Sequence, residues 1–302
     1  MSRRARRTAI LVAALCTMMP TPASVASAEP EDEDATGRLH LIQFNVCDQG
    51  HLTNHVCSED WPVRRTEILN QLNVWGNVTS ATFQEICEST YTSVLANKPG
   101  WTGKFYKTYD VPDSRCGTDN DWGVAFISIS APSVIITTIF GQEPNGEFRV
   151  MTCGNITIHS GFRLCSTHLS PSGPQSQVDS IRNNLQTYIT SGAAVMVGGD
   201  FNINNKVSCL TGIPTKLQPL YALYYGGAST HDCGPGNGSY RDVDQYLGVS
   251  GDSYDVPTLG SAKIDYVFFN TYRFNQTGFG GLVASSYVSD HRVLRGAVTI
   301  HD

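Results

Sequence analysis

Short apolar segments recur along this chain, and the first of them, 39–46, alternates with the two-residue period of a β-strand. Two stretches instead carry apolar residues at helical spacing: one opens at Asp60-Trp61-Pro62, and one contains Val178 and Ile189. Strands therefore outnumber helices, which predicts an α+β fold with mixed sheets in one domain. The predicted strands are 39–46, 81–83, 123–129, 133–140, 149–153, 155–158, 162–167, 193–197, 263–269 and 293–300, and 226–262 is predicted to be loop.

Polar side chains that can bind metal ions or act as acids and bases stand where the predicted strands end. Loops at strand ends are where a rigid scaffold commonly places functional groups. These side chains are therefore the candidates for a functional site. They are Asn45, Glu85, His168, Asp200 with Asn202, Asp265, and the pair Asp290-His291.

The segment Gly198-Gly199-Asp200-Phe201-Asn202 is the most informative of these. Residues two apart share a face of an extended chain, so Asp200 and Asn202 point one way and Phe201 packs the other way. The two glycines let the backbone bend or approach a ligand closely. A Gly-Asp-x-Asn segment also occurs in simple turns, and both interpretations stay open at this point.

Asp265 lies in the apolar run 263–268, which predicts a half-buried carboxylate. A buried carboxylate needs a partner. His291 is the candidate, because an acid can fix the tautomer of an imidazole and stabilise its protonated form. The alternative is an aspartate whose hydrogen bonds go to the backbone.

Oxygen ligands from Glu85, Asp290 and Asn45 suit a hard cation such as Mg²⁺ or Mn²⁺, with Ca²⁺ as a further candidate. Zn²⁺ is disfavoured because histidine and cysteine do not cluster at ligand spacing. Asp200 would then orient or deprotonate an attacking water. Hydrogen bonds to a charged transition state would come from Asn202, His168 and His291. This set of residues predicts metal-assisted phosphoryl chemistry.

Six short segments, in this order along the chain, resemble the endonuclease/exonuclease/phosphatase superfamily. They are 44–46 (Phe-Asn-Val), 83–85 (Phe-Gln-Glu), 167–169 (Thr-His-Leu), 199–202 (Gly-Asp-Phe-Asn), 263–267 (Lys-Ile-Asp-Tyr-Val) and 289–291 (Ser-Asp-His). The resemblance spans nearly all of 39–302. It implies a four-layer α/β/β/α sandwich of two mixed β-sheets and divalent-metal hydrolysis of a phosphoester.

The resemblance also implies a role for each matching residue. Glu85 would be the principal metal ligand, and Asn45 and Asp290 would complete or flank the metal site. Asp200 would hold the nucleophilic water, and Asn202 would orient that water or bind phosphate. The remaining implied roles are contacts of His168 and His291 with the scissile phosphate, pairing of Asp265 with His291, and a phosphate contact by Arg149, for which a surface charge is the alternative.

Two points stay open within the superfamily. Members differ in their general base, so Asp200 and His291 are both candidates. The Pro-Ser-Trp-Thr-Asp-Arg run of inositol-polyphosphate phosphatases is absent, and Lys263-Ile264-Asp265-Tyr266 stands there instead, which disfavours inositol polyphosphates as substrates.

The N-terminus has the features of an export signal. Arginines at 3, 4, 6 and 7 precede an apolar run over 9–19, and Ala26-Ser27-Ala28 fits a cleavage site. The run is too short to span a bilayer. We therefore predict a signal peptide at 1–28, an acidic disordered tail at 29–37, the superfamily domain at 38–302, and a secreted protein without a membrane span.

Eight cysteines remain after the predicted cleavage, which in an exported chain indicates four disulfides. Cys153 and Cys165 lie equally far from His159, where a hairpin can turn, so they would face each other on paired strands. Sequential pairing is the prediction for the whole set: 47–57, 87–116, 153–165 and 209–233.

The formal net charge of −6 excludes a protein that holds nucleic acid through a basic surface. The low charged fraction, 16%, and the apolar fraction, 40%, exclude a disordered chain. The first hypothesis is a secreted, monomeric, metal-dependent phosphodiesterase that acts on nucleic acid, with DNA preferred. The alternatives are a phosphomonoesterase or a phospholipase C- or sphingomyelinase-type esterase, and a non-catalytic binding module of the same fold.

Overall fold

The computed structural model describes 38–47, 61–74, 77–110, 116, 120–173, 175–204, 216–217, 219–220, 223–225, 232–235, 240–243, 257–275, 282–284, 286 and 288–301. The predicted signal peptide and acidic tail lie outside these residues. In chain order the elements are β1 (Arg38–Asn45), α1 (Trp61–Val74), β2 (Val78–Cys87), α2 (Glu88–Ala96), β3 (Thr102–Lys107), β4 (Trp122–Ser128), β5 (Ser133–Gln142), β6 (Phe148–Ile156), β7 (Phe162–His168), α3 (Gln175–Thr190), β8 (Val195–Asp200), β9 (Leu223–Tyr225), β10 (Asp232–Pro235), β11 (Tyr240–Asp242), β12 (Asp265–Asn270), β13 (Phe274–Asn275), β14 (Leu282–Ala284) and β15 (Val293–Ile300).

Most of the strands form two sheets of mixed direction. The first has the order β13-β15-β1-β2-β4-β3, and β14 also pairs with β15. The second has the order β11-β12-β8-β7-β6-β5. Each sheet contains one parallel pair, β1 with β2 and β7 with β8, and its other pairs are antiparallel. The short strands β9 and β10 pair separately.

Three clusters of buried apolar side chains stack the elements in four layers. Leu41 of β1 and Phe126 of β4 pack between the sheets against Leu164 of β7 and Met196 of β8. The outer face of the first sheet packs against α1 and α2 through Ile68, Leu72 and Val94. The outer face of the second sheet packs against α3 through Val178, Ile181 and Leu185. The predicted α/β/β/α sandwich is confirmed.

Several elements differ from the sequence-based prediction. The segments 149–153 and 155–158 form one continuous strand, β6. The strand predicted to stop at the glycine pair runs on through it to Asp200. The predicted loop 226–262 contributes β10 and β11, and β11 pairs with β12 at the edge of the second sheet. Neither α2 nor β3 was predicted. Among the described residues, no helix has the length and apolar character needed to cross a membrane.

The described disulfides agree with sequential pairing. Cys153 and Cys165 stand opposite each other on β6 and β7 and are bonded, as the hairpin argument predicted. Cys87 is bonded to Cys116, and Cys47 is also in a disulfide. The predicted partner of Cys47 and the predicted 209–233 pair lie outside the described residues or side chains.

Candidate active site

The strand ends that carry the candidate residues meet at one end of the sandwich. In the second sheet, His168 is the partner of Asp200 across the parallel β7–β8 pair, and Asp200 is the partner of Asp265 across β8–β12. In the first sheet, β1 ends at Asn45 beside β2. Because these ends of the two sheets face each other, hydrogen bonds cross from one sheet to the other within the site.

Glu85 reaches the site because β2 is irregular at that position. The register of β2 against β4 shifts between Phe83 and Ile86, and Glu85 has a φ of 53°. Such a φ is sterically unfavourable for a residue with a Cβ, and it is found where the surrounding structure holds it in place. The Oε1 of Glu85 lies 3.2 Å from Asn45 Nδ2 and 3.8 Å from His168 Nε2.

Asp200 is at the centre of the site, and its side chain is almost completely buried. Its Oδ2 accepts a hydrogen bond from Asn45 Nδ2 at 3.0 Å, and its Oδ1 accepts one from the backbone N–H of Asn202 at 2.8 Å. The Nε2 atoms of His168 and His291 lie 3.6 and 3.8 Å from Oδ2. Burial and the neighbouring Asp265 carboxylate raise the pKa of Asp200 to about 7.

Asp265 and His291 form a buried pair, which is the partnership expected from the sequence. His291 Nδ1 lies 2.8 Å from Asp265 Oδ2. Asp265 Oδ1 accepts a hydrogen bond from Gln43 Nε2 at 3.2 Å, so both carboxylate oxygens are engaged. Burial alone would lower the pKa of His291, but the Asp265 carboxylate outweighs it and raises that pKa to about 10. The ring is therefore held with Nε2 directed at Asp200.

The donor set fits a hard divalent cation. Ligand atoms of Asp200, Asp265 and His291 lie within 4.8 Å of one another, but Asp265 is already committed to Gln43 and His291. The side chains of Glu85 and Asp290 are 18% and 30% exposed beside this cluster, so they offer carboxylate oxygens on the open side of the site. The carboxylates of Glu85 and Asp290, with the Asn45 amide beside them, match the oxygen preference of Mg²⁺ or Mn²⁺.

Arg149 contacts the site through His168. Its Nη1 lies 3.0 Å from His168 Nδ1. The same Nη1 lies 3.2 Å from His168 Nε2, so the guanidinium stands beside both ring nitrogens. The Arg149 guanidinium also pairs with Glu147 at 3.1 Å and lies 3.7 Å from Glu143. These contacts orient His168, and a phosphate contact by Arg149 stays a prediction.

The last two predicted residues follow the strand ends. Asn202 has a φ of 53°, and its Nδ2 donates to the carbonyl of Leu169 at 2.9 Å. Asp290 Oδ1 lies 4.0 Å from His291 Nε2. All nine predicted side chains thus lie in or directly beside the site.

Buried amides and hydroxyls behind the site were not predicted. Gln43 accepts a hydrogen bond from the Thr82 hydroxyl at 2.6 Å and also bonds Gln84, which donates to the Ser166 hydroxyl at 3.2 Å. This network joins the two sheets and holds Asp265. Gln43 is two residues before Asn45 on the same face of β1, and Glu147 is two before Arg149. Strand alternation places Gln43 on the same side of β1 as Asn45, but that it is buried there follows only from the second sheet.

The glycine pair before Asp200 permits close packing rather than a bend. A Cβ on Gly198 would overlap the hydroxyl of Thr82 in the opposite sheet, and a Cβ on Gly199 would overlap the carbonyl of Thr167 in the neighbouring strand. Both glycines lie in regular β8. Gly198 therefore allows the two sheets to approach closely at the level of the site, and Gly199 allows the close approach of β8 to β7.

A sandwich of two mixed sheets with carboxylates, amides and histidines at its strand ends defines a class of hydrolytic enzymes. The model of the Endonuclease/Exonuclease/phosphatase family matches residues 54–291. The chain belongs to this family, whose members are hydrolases that act on phosphoester bonds. No curated protein matches the chain in sequence.

Solved structures with the same fold include a human catalytic domain, a complex with a DNA product and a sugar phosphatase. The human Nocturnin catalytic domain with bound sulfate is 17% identical, with a TM-score of 0.64, and covers 87% of this chain and 95% of that one. The D. rerio TDP2 complex with a single-strand DNA product is 14% identical, with a TM-score of 0.53, and covers 87% and 99%. A mannosyl-6-phosphatase of Bacteroides thetaiotaomicron is 12% identical, with a TM-score of 0.57, and covers 87% and 100%. At these identities the likeness establishes the fold.

Proposed function

We propose that this protein is a secreted, divalent-metal-dependent phosphodiesterase that cleaves nucleic acid, with DNA as the preferred substrate. The hydrolytic activity is supported mainly by the nitrogen atoms that surround Asp200 Oδ2. Asn45 Nδ2 is 3.0 Å away, and the Nε2 atoms of His168 and His291 are within 3.8 Å. A carboxylate surrounded by donors from both sheets is suited to hold a water molecule beside a phosphate.

Each residue contributes a distinct task. Glu85 and Asp290 would bind the metal ion with Asn45 beside them, and the bound ion would supply stabilisation of negative charge on the phosphoryl and leaving oxygens. Asp200 orients the attacking water and accepts its proton. His291, held by Asp265, and His168, held by Arg149, donate hydrogen bonds to the phosphoryl oxygens. Asn202 would orient the same water or bind phosphate.

We assign the general base to Asp200 rather than His291. The Nδ1 of His291 is bonded to Asp265, and the carboxylate keeps the ring protonated, as its raised pKa of about 10 indicates. A protonated imidazole donates and cannot accept the proton of water. The carboxylate of Asp200 is the acceptor that remains between the two histidines.

The substrate class is supported less directly. The DNA-product complex of TDP2 supports a polynucleotide, and the mannosyl-6-phosphatase supports a small phosphomonoester as the second candidate. A non-catalytic module is disfavoured because Glu85, Asp200 and both histidines are present and in contact range. Secretion is supported by the export signal in the sequence and by the disulfides.

A substrate panel tests this proposal. The mature protein, from residue 29, is offered plasmid DNA, RNA, sphingomyelin and p-nitrophenyl phosphate with Mg²⁺, Mn²⁺ or Ca²⁺. Cleavage of DNA that needs a divalent ion and is lost in Asp200→Asn is expected. Asp179→Asn, a carboxylate on α3 away from the site, is the matched control and should retain activity. Hydrolysis of p-nitrophenyl phosphate or sphingomyelin without cleavage of either nucleic acid would contradict the nuclease assignment.

Export and monomeric state are tested on the natively produced protein. Intact-mass spectrometry of culture supernatant should find a chain that begins at residue 29 and contains no free thiol, and light scattering should give the mass of one chain. Eight free thiols in protein recovered from the supernatant would contradict the disulfide argument. A cell-bound chain that retains residues 1–28 would contradict secretion.

A further inference from the structure

A short turn before β12 is bonded to the backbone on both sides of the Asp265–His291 pair. The turn spans 257–262 and is closed by a hydrogen bond from the N–H of Thr258 to the carbonyl of Ala262 at 2.9 Å. Thr258 is fully buried. A buried hydroxyl is costly unless its hydrogen bonds are made, so the partners of this side chain show what it does.

The hydroxyl of Thr258 binds the backbone at the start of β12. Its Oγ1 accepts hydrogen bonds from the N–H groups of Ile264 at 3.1 Å and Asp265 at 3.0 Å. A hydroxyl oxygen has two lone pairs, so one side chain serves two buried backbone donors. Asp265 is the first residue of β12. The Thr258 hydroxyl therefore fixes the backbone from which the Asp265 carboxylate extends.

The backbone of the same turn binds the segment that carries His291. The carbonyl of Thr258 accepts a hydrogen bond from the N–H of Arg292 at 2.7 Å, and Leu259 forms an antiparallel bridge with His291. Arg292 Nη1 also donates to the carbonyl of Pro257 at 2.9 Å. The turn is thus hydrogen-bonded both to the start of β12 and to the chain next to the histidine.

The other side of His291 is attached to the first sheet. The N–H of His291 donates to the hydroxyl of Ser289 at 3.0 Å, and that hydroxyl donates to the carbonyl of Asn45 at 2.8 Å. Ser289 therefore holds the histidine segment to β1, whereas Thr258 holds it to β12. The contact of 2.8 Å between His291 Nδ1 and Asp265 Oδ2 depends on both attachments. A shift of either one would change the direction of the imidazole Nε2.

We propose that Thr258 is a positioning residue, whose hydroxyl aligns Asp265 with His291 for the reaction. The inference rests on the proposed phosphoesterase function, because it concerns the same site. Thr258 acts on the chemistry through the pair. Hydrogen bonds aimed at charge that develops on the phosphoryl oxygens act mainly in the transition state. Loss of the hydroxyl should therefore lower kcat and leave KM nearly unchanged.

Three substitutions of Thr258 in the mature protein separate its hydrogen bonds from its packing. Thr258→Val replaces the hydroxyl by a methyl group of similar size, Thr258→Ala leaves space in which water can accept the two hydrogen bonds, and Thr258→Ser keeps the hydroxyl. Thr258→Val should lower kcat at least about tenfold, with KM within about twofold of the wild type. Thr258→Ala should lose less, and Thr258→Ser should recover most of the activity. A packing role alone predicts the largest loss in Thr258→Ala, which removes the most buried volume.

Thr90→Val is the matched control. Thr90 lies on α2 and is also fully buried, but its hydroxyl has no hydrogen-bond partner among the described residues. The same substitution there should leave kcat and KM at wild-type values. Circular dichroism of every variant checks that the fold is retained.

Proton NMR in Mg²⁺ buffer measures the alignment of the pair without substrate. A ring N–H proton in a short hydrogen bond to a carboxylate resonates far downfield and is visible only when it is protected from exchange with water. A His291→Gln variant identifies this signal, since it removes the ring. The signal should be present in wild type, Thr258→Ser and Thr90→Val, and it should be broadened or shifted in Thr258→Val.

Several results would overturn the inference. They are absence of the downfield signal in the wild type, a wild-type signal with wild-type kcat in Thr258→Val, equal losses in Thr258→Val and Thr258→Ser, and a larger loss in Thr258→Ala than in Thr258→Val. If Thr258→Val does not fold, equal kcat and equal signals in Thr258→Ala and Thr258→Ser would overturn it. A wild type that cleaves no phosphoester would contradict the proposed function, and the NMR signal would still show whether Thr258 aligns the pair.

Discussion

At the residue scale, the site makes Asp200 difficult to ionise and keeps His291 protonated. Asp200 is buried beside Asp265, and this raises its pKa to about 7, whereas Asp265 raises that of His291 to about 10. The folded protein therefore tolerates electrostatic strain that a divalent cation would relieve. Such groups are typical of sites that were selected for chemistry rather than for stability.

The pH dependence of stability measures that strain. Between pH 5 and 6.5, Asp200 keeps its proton in the folded state but has lost it in the unfolded state, so raising the pH lowers the free energy of unfolding, by up to about 1.4 kcal/mol per pH unit. Asp200→Asn removes this dependence, and Asp179→Asn keeps it. Urea unfolding with a chelator at both pH values is the measurement. Equal slopes in wild type and Asp200→Asn would show that the carboxylate ionises normally.

A site residue could be predicted where a polar side chain stands in an unusual sequence context. Asp265 is an acid in an apolar run, and Asp200 and Asn202 follow two glycines at the end of a buried strand. Both contexts indicated residues that the structure brings together at the strand ends. Gln43 carries no such signal, because a glutamine in a strand is ordinary on an exposed face. Its burial follows only from the second sheet that covers it.

At the element scale, the site depends on how closely the two sheets approach. Gly198 on β8 faces Thr82 on β2, and the Thr82 hydroxyl bonds Gln43, which holds Asp265. The spacing of the sheets is thus linked to the position of the Asp265–His291 pair. A side chain at 198 would disturb both.

A double-mutant cycle tests that link. Gly198→Ala should lower the free energy of unfolding by about 1–3 kcal/mol through overpacking, and the loss should shrink when Thr82 is also alanine, because the overlapping hydroxyl is gone. Gly146→Ala, at a φ of 90° in an open turn, is the control for backbone strain alone. Strictly additive effects of the 198 and 82 substitutions, measured by urea unfolding, would contradict direct contact between them.

Helices and strands with a clear apolar pattern were predicted from the sequence. Features that depend on contacts with other strands or helices were not. The predicted strand 293–300 is present as β15, and the predicted helix with apolar residues at helical spacing is present as α3. The helix α2 has the sequence Glu-Ser-Thr-Tyr-Thr-Ser-Val-Leu-Ala, which is rich in weak helix formers and short, so its pattern is faint. The bulge at Glu85 depends on the register of β4, which no local pattern specifies.

At the scale of the whole molecule, an acidic protein is proposed to act on a polyanion. The net charge of −6 includes the four arginines of the predicted signal peptide, so the proposed mature chain is more acidic still. Arg149 is paired with Glu147, and Lys263 with Asp242 at 3.0 Å, so these cations are already engaged. We expect the substrate to be held mainly by the metal ion and hydrogen bonds.

The salt dependence of DNA cleavage distinguishes this mode from basic-patch binding. A protein that neutralises at most two phosphates should show a slope of about −2 or shallower in log(1/KM) against log salt concentration. The rate should depend far more on the divalent ion than on NaCl. Initial rates on plasmid DNA between 50 and 200 mM NaCl, roughly the range over which basic binders lose most affinity, give the slope. A slope steeper than about −5 would indicate binding through a basic surface and would contradict this mode of substrate binding.

If the strand ends of both sheets form one metal-dependent phosphoesterase site, two glutamates close together in sequence should differ sharply, and comparing them is the most direct measurement. Glu85 lies in the site, whereas Glu88, three residues on, is exposed at the start of α2. Manganese binding by electron paramagnetic resonance and DNA turnover are measured for Glu85→Gln and Glu88→Gln. We expect Glu85→Gln to weaken Mn²⁺ binding at least about tenfold and to slow turnover by about 10²-fold or more, and we expect wild-type values for Glu88→Gln. Wild-type binding and turnover in Glu85→Gln would contradict a metal-dependent site at these strand ends.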